Sequence, residues 1–201
     1  MERCEFLFDF GSPNAYLAHK VLPEIERRTE ANFDYVPVLL GGIFKLTNNK
    51  PPMIAFGDVK GKMAYEMKET ERFIRRHAIT SFKFNPNFPV NTLALMRMAT
   101  AAKEMCTLTA YVEAAFHHMW EAPKKMDDPA VIRAALLESG LEADALIASA
   151  QTPEIKQKLM DTTEAAVARG VFGSPSFFVG EELFFGKDRL GEVEDEIRAA
   201  R

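Results

Sequence analysis

The chain has 201 residues, 47% apolar and 27% charged, which allows one large domain or a small domain carrying an insertion. Its net charge of -4 argues against a general nucleic-acid binder, and no apolar run approaches the length of a membrane span. Glu2, Arg3 and Glu5 crowd the start and Asp9 interrupts the first apolar stretch, so it does not read as a secretory signal and the expected location is cytoplasmic.

Cys4 to Phe10 reads as a strand, short, rich in Phe and Leu and ended by Gly11. Ser12-Pro13 then opens a helix, because serine is a favoured N-cap and proline is tolerated at the first helical position. Tyr16, Leu17, Val21, Leu22 and Ile25 continue it at helical spacing, with Pro23 expected to kink or break it. Asn32 to Leu39 reads as a second strand, giving the strand–helix–strand order of a parallel pair.

From about Thr70 to Arg169 the signals are helical. Leu93, Met96, Ala99 and Ala102 share a helix face, and Ala110 to Trp120 continues the pattern. Asp128-Pro129 and Thr152-Pro153 are start signals, and Gly170 is a stop. Strand character returns at Ser176 to Val179 and Leu183 to Phe185 around a turn at Glu181-Glu182. Asp188 to Ala200 closes the chain as an amphipathic helix. The pattern is a small α/β domain split in sequence by a helical insertion.

Cys4 and Cys106 are far apart and neither belongs to a Cys-x-x-Cys, which excludes a local dithiol motif and a cysteine zinc knuckle. Both read as buried, reduced thiols. His117 and His118 are adjacent, so their rings point differently on a helix and make poor joint metal ligands; no metal site is expected.

Ser12 is in the first place a helix cap. It also stands at the carboxyl end of a strand, where ligands of open α/β sheets bind, and at a helix N-terminus, which favours anions. Those two features make it the candidate active-site residue. Ser174-Pro175, immediately before a strand, reads either as a trans-proline opening an edge strand or as a cis peptide. In the second case Ser174 would offer its backbone to an extended ligand. Between Gly42 and Tyr65, Lys45, Lys50, Lys60 and Lys62 face Asp58 alone, either a solvated loop or a field that attracts carboxylates.

Strand, Ser12-Pro13-Asn14-Ala15, helix, strand, long helical insertion, Gly173-Ser174-Pro175, hairpin and helix resemble the DsbA-type thioredoxin fold. More closely, the chain resembles the 2-hydroxychromene-2-carboxylate isomerases and the kappa-class glutathione transferases. The resemblance lies in Phe8-Asp9-Phe10-Gly11-Ser12-Pro13, Gly41 to Lys45 with Asn49-Lys50-Pro51-Pro52, and Lys62, Tyr65, Glu69 and Arg72 in one register. It continues in Phe88-Pro89-Val90-Asn91-Thr92, Gly170 to Pro175, and Phe185 to Leu190. It implies an α/β, thioredoxin-like fold with residues 1–41 and 167–201 as the thioredoxin-like domain and 42–166 as the helical insertion.

The resemblance further implies glutathione as cofactor, a small aromatic carboxylate as substrate and a homodimer. By the same resemblance, Ser12 points at the glutathione sulfur and Ser174, with Pro175, pairs with the tripeptide backbone. Phe185, Gly186, Lys187 and Asp188 meet the γ-glutamyl end, Asn49 and Lys62 make further contacts, and Lys45 and Phe88 border the second substrate. Glu69 stands where the pattern usually has aspartate, and Phe88 where an isomerase can carry tyrosine.

The residue chemistry points the same way. A thiol attacks as its thiolate. A hydroxyl donating to a thiolate is worth about 1.5–3 kcal/mol. At about 1.36 kcal/mol per pH unit, that lowers a thiol pKa by about one to two units. His19 lies seven residues along the helix, about 10 Å away, so no local base activates Ser12 as a nucleophile. The expected activity is isomerisation by reversible thiolate addition, with a glutathione-consuming transferase or peroxidase as the alternative and a non-catalytic thioredoxin-fold module as a third. Ser12 and Ala15 stand where a disulfide oxidoreductase needs cysteines.

Overall fold

The computed structural model describes residues 3–200. Its first strand, β1 (Cys4–Phe8), is buried along its whole length, as expected of a central strand covered on both faces. Phe6 and Phe8 join the larger core while Leu7 joins a second cluster behind the sheet, following the two-residue alternation of a strand. β1 stops two residues before the expected Phe10, because Asp9 turns out of the ladder and its carbonyl accepts from Ser12 N–H at 3.0 Å.

Helix α1 (Pro13–Thr29) is capped by Ser12, whose Oγ accepts from Ala15 N–H at 3.2 Å. Pro23 lies inside this helix, which runs on to Thr29, so the break that was one of the two expected outcomes does not occur. The loss of one backbone bond is offset by burial of Tyr16, Leu17, Val21, Leu22 and Ile25 in the main core. Strand β2 (Phe33–Pro37) then pairs with β1 in parallel, Cys4 opposite Phe33 and Phe8 opposite Pro37.

A helical run follows: α2 (Leu40–Thr47), α3 (Pro52–Ala55), α4 (Lys62–Arg76), α5 (Leu93–Glu104), α6 (Leu108–Trp120), α7 (Pro129–Glu138), α8 (Ala143–Ala150) and α9 (Pro153–Ala168). Asp128 and Thr152 cap α7 and α9 through their side chains. Beyond α9, Gly170 reverses the chain at φ +97, a conformation open to glycine.

Strands β3 (Ser176–Val179) and β4 (Glu182–Phe185) form a hairpin whose turn starts at Gly180, with φ +58. β3 pairs antiparallel with β1, Leu7 opposite Ser176, so the sheet order is β2-β1-β3-β4. A 3-10 turn at Lys187–Arg189 leads into α10 (Leu190–Ala199).

The main core continues from the sheet into the helices. Phe10 meets Phe116 edge-on at 4.8 Å and Tyr111 at 5.8 Å, and the rings of Phe6, Phe8 and Phe177 stack beneath. The proposed division between 1–41 with 167–201 and 42–166 therefore crosses a shared core. Trp120 is completely buried. Cys4 is buried as expected, but Cys106 is exposed, because the chain turns at φ +56 just beyond α5 and leaves its side chain outside the packing.

Candidate active site

Three segments distant in sequence meet where β1 gives way to α1. The Ser12 hydroxyl donates to the Ser174 carbonyl at 2.9 Å. Asp9 N–H donates to Ser174 Oγ at 3.1 Å. The Ser174-Pro175 bond is cis, the second of the two possibilities open in the sequence. Gly186 N–H holds the Pro175 carbonyl at 2.9 Å, so the loop after β4 closes the same corner. Ser12 and Ser174 are both buried.

Beneath this corner lies a residue whose role the sequence reading missed. Asp9 is completely buried, and its carboxylate gathers donors from three directions. Gly11 N–H reaches Oδ1 at 2.8 Å, the Thr92 hydroxyl reaches Oδ1 at 2.7 Å, and Leu40 N–H reaches Oδ2 at 2.8 Å. Burial pushes this carboxyl up from its ordinary value, while the bonds from Leu40, Gly11 and Thr92 oppose the rise. Asp9 thus ties the entry of α1 to the starts of α2 and α5. The signal available in the sequence was a charge inside an apolar strand, used above against a secretory signal and as part of the Phe8–Pro13 resemblance but given no role of its own.

Aromatic residues flank the corner. Trp120 Nε1 donates to the Phe10 carbonyl at 2.9 Å, two residues before Ser12. Phe88 is half-buried, with its ring 5.3 Å from Phe84 and 6.1 Å from Trp120, and it precedes a second cis-proline, Pro89. On the other side Phe172 and Phe185, both exposed, meet at 4.5 Å. A side chain at Gly173 would displace the Phe185 ring, since a Cβ there would lie 2.6 Å from it.

The remaining candidate residues are placed less tightly. Asn49 is exposed but joins the corner, its Nδ2 donating to the Phe172 carbonyl at 2.8 Å. Lys187 is buried, its Nζ 2.9 Å from Asp188 Oδ1 and 5.2 Å above the Phe73 ring. Asp188 itself is exposed. Lys45 is exposed on α2, and Lys62 pairs with Glu66 at 2.8 Å and lies 5.4 Å from the Phe56 ring. Among the described residues, no hydrogen bond or ion pair joins Lys45 or Lys62 to Ser12. Glu69 pairs with Arg72, and that contact lowers its pKa. His19 is occupied elsewhere, between the Tyr35 hydroxyl at 2.8 Å and Glu113 at 3.2 Å.

The arrangement offers a hydroxyl donor at a helix N-terminus beside the backbone of a cis-proline loop. It has no cysteine at Ser12 or Ala15 with which to exchange a disulfide. It suits the holding and polarising of another molecule's anionic atom.

The chain matches the family model described as DSBA-like thioredoxin domain over residues 3–198. It is 29% identical over 190 residues to a 2-hydroxychromene-2-carboxylate isomerase of Sphingobium xenophagum, covering 94% of this chain and 95% of that one. It is 28% identical over 202 residues to glutathione S-transferase kappa 1 of Homo sapiens, covering 92% and 86%. Among solved structures, a 2-hydroxychromene-2-carboxylate isomerase superimposes with a TM-score of 0.83 at 23% identity, over 98% of this chain and 95% of that one.

Proposed function

The chain belongs to the DSBA-like thioredoxin domain family, and from that premise we propose that it is a glutathione-dependent isomerase of an aromatic keto acid. The reaction we propose is the interconversion of 2-hydroxychromene-2-carboxylate and trans-o-hydroxybenzylidenepyruvate, or of a close analogue. The observation that carries this reading is the buried Ser12 hydroxyl at the start of α1, set against the Ser174 carbonyl. The relatives named as 2-hydroxychromene-2-carboxylate isomerases and kappa glutathione transferases support the reaction class.

Ser174 and Pro175 would hold glutathione along the cis-proline loop, with the Ser12 hydroxyl set to meet its sulfur. Asn49, Lys62 and the Phe185–Asp188 loop surround its ends. Bound there, glutathione would supply a thiolate for reversible conjugate addition to the keto acid freed when the chromene's hemiketal C–O bond opens to ketone and phenol; the added electron pair would rest on the ketone oxygen as an enolate, the former double bond could rotate, and elimination would return the thiolate. Phe88 provides an apolar wall and Lys45 a positive charge for the substrate carboxylate. The reading includes a cytoplasmic homodimer; among the described residues no helix is long and apolar enough to cross a membrane.

The test is incubation with glutathione and the chromene acid while both are followed. Product without loss of glutathione is expected. Stoichiometric loss would favour a kappa-like transferase, and absence of glutathione binding would leave a non-catalytic module.

A further inference from the structure

In this structure the Ser12 hydroxyl is already engaged. A serine hydroxyl has one proton, and Ser12 gives it to the Ser174 carbonyl at 2.9 Å. The same oxygen accepts from Ala15 N–H, so it has no second proton to direct at a sulfur. The surrounding backbone is pinned: Ser12 N–H to the Asp9 carbonyl at 3.0 Å, Asp9 N–H to Ser174 Oγ at 3.1 Å, and Gly186 N–H to the Pro175 carbonyl at 2.9 Å. Turning the hydroxyl toward a ligand would abandon the Ser174 carbonyl, which belongs to a residue only 9% exposed. A buried acceptor left without a donor is costly.

We infer that the site selects thiols carrying a backbone N–H beside the sulfur-bearing side chain, because that N–H takes over the Ser174 carbonyl and releases the Ser12 hydroxyl to the sulfur. This rests on the glutathione reading and deepens it, for it makes the peptide backbone part of the activation of its own thiol. The exchange is balanced. The ligand N–H replaces the Ser12 O–H at the carbonyl, the Ser12 O–H turns to the thiolate, and the thiol proton leaves to solvent. No heavy-atom bond changes and no electron is transferred. A simple thiol without the N–H ionises less readily even when bound, because its thiolate must draw the hydroxyl away from an acceptor that nothing else satisfies.

The experiment compares glutathione with an analogue methylated on the cysteinyl nitrogen, in the wild-type chain and in Ser12→Ala. Saturation is checked by calorimetry, and the bound thiol is titrated by its ultraviolet thiolate absorbance. In the wild type, the methylated ligand is expected to ionise about one pH unit higher than glutathione. In Ser12→Ala the gap is expected to close. Equal titration in the wild type, or the same gap in both proteins, overturns the inference.

A structure with S-methylglutathione decides where the analogue does not saturate. The cysteinyl nitrogen is expected within hydrogen-bond distance of the Ser174 carbonyl, with Ser12 Oγ turned away. A Ser12–Ser174 bond that persists in the complex overturns the inference while leaving the glutathione reading intact. Failure of glutathione to bind the wild type is a separate result that removes both.

Discussion

Asp9, Ser12 and Ser174 are buried and bonded to one another across the chain, whereas Leu46, Met53, Ile54, Phe56, Val59, Tyr65 and Met67 are exposed within one stretch that also carries Lys45, Lys50, Lys60 and Lys62. The first region has fixed geometry before any ligand arrives. The second has charge and apolar surface but little to hold it in place; none of the residues of α3 is buried. A thiolate needs a donor aimed to within a fraction of an ångström, and that requires a pinned frame. Carboxylates can be drawn in by lysine point charges, which tolerate looseness. On the proposed function, chemistry falls to the corner and attraction to the exposed stretch from Lys45 to Met67, the flap.

The largest expected effect tests whether the corner is as rigid as its bonds imply. Asp9→Ala removes the acceptor of three donors, two of them backbone N–H groups, and is expected to cost on the order of 3–6 kcal/mol in denaturant unfolding. A cost below about 1 kcal/mol would mean that water replaces the carboxylate and that the corner resembles the flap after all. The pH dependence carries a sign. Asp9 has a folded pKa above its unfolded value, so the native state binds its proton more readily and this residue's contribution favours folding as pH falls through that raised value.

Glu194 provides the opposite case. Arg28 grips it with bonds of 2.8 and 2.7 Å between α1 and α10 and holds its carboxyl below the ordinary range. Its contribution is present above the unfolded glutamate value, about 4.3, and is lost as pH falls through the folded value. Glu194→Gln is expected to cost about 1.5–3 kcal/mol at neutral pH and much less in acid, measured by urea titration at several pH values. A pH-independent difference would show that the pair acts through packing.

Ser12→Ala comes next. It removes a helix cap, expected to cost about 1 kcal/mol, and leaves the fold in place. The bound glutathione thiol should then titrate at higher pH. An unchanged titration would take Ser12 out of the chemistry and leave it a cap.

What was legible in the sequence follows from the range of the interactions. The β1–α1–β2 unit, the capped starts of α7 and α9 and the terminal hairpin are written in local periodicity and caps, and they appear within a residue or two of expectation. Ser12 and Ser174-Pro175 carried local signals too. Asp9 stood out as a charge in an apolar strand, but its partner did not, because the Asp9–Thr92 bond spans 83 residues, and the Trp120–Phe10 bond spans 110. The exposure of Cys106 was missed for the same reason, and whether Pro23 would break α1 or only bend it was left open by it. Each depends on which surface packs against the residue, and a local pattern does not specify that.

The smallest expected effect bears on the flap. Lys62 sits beside Glu66 at the start of α4, half-exposed, and such a pair adds little to stability. Lys62→Met should leave the unfolding midpoint unchanged while weakening glutathione binding a few-fold at low salt, and the difference should fade as salt is raised. Asn49→Ala, by contrast, cuts the bond to the Phe172 carbonyl and loosens the flap's attachment to the cis-proline loop. Its loss of affinity should persist at high salt, because it comes from geometry rather than from field. If the two variants show the same salt dependence, the flap is held by the same kind of contact as the corner, and the division between a fixed donor and a loose electrostatic guide fails.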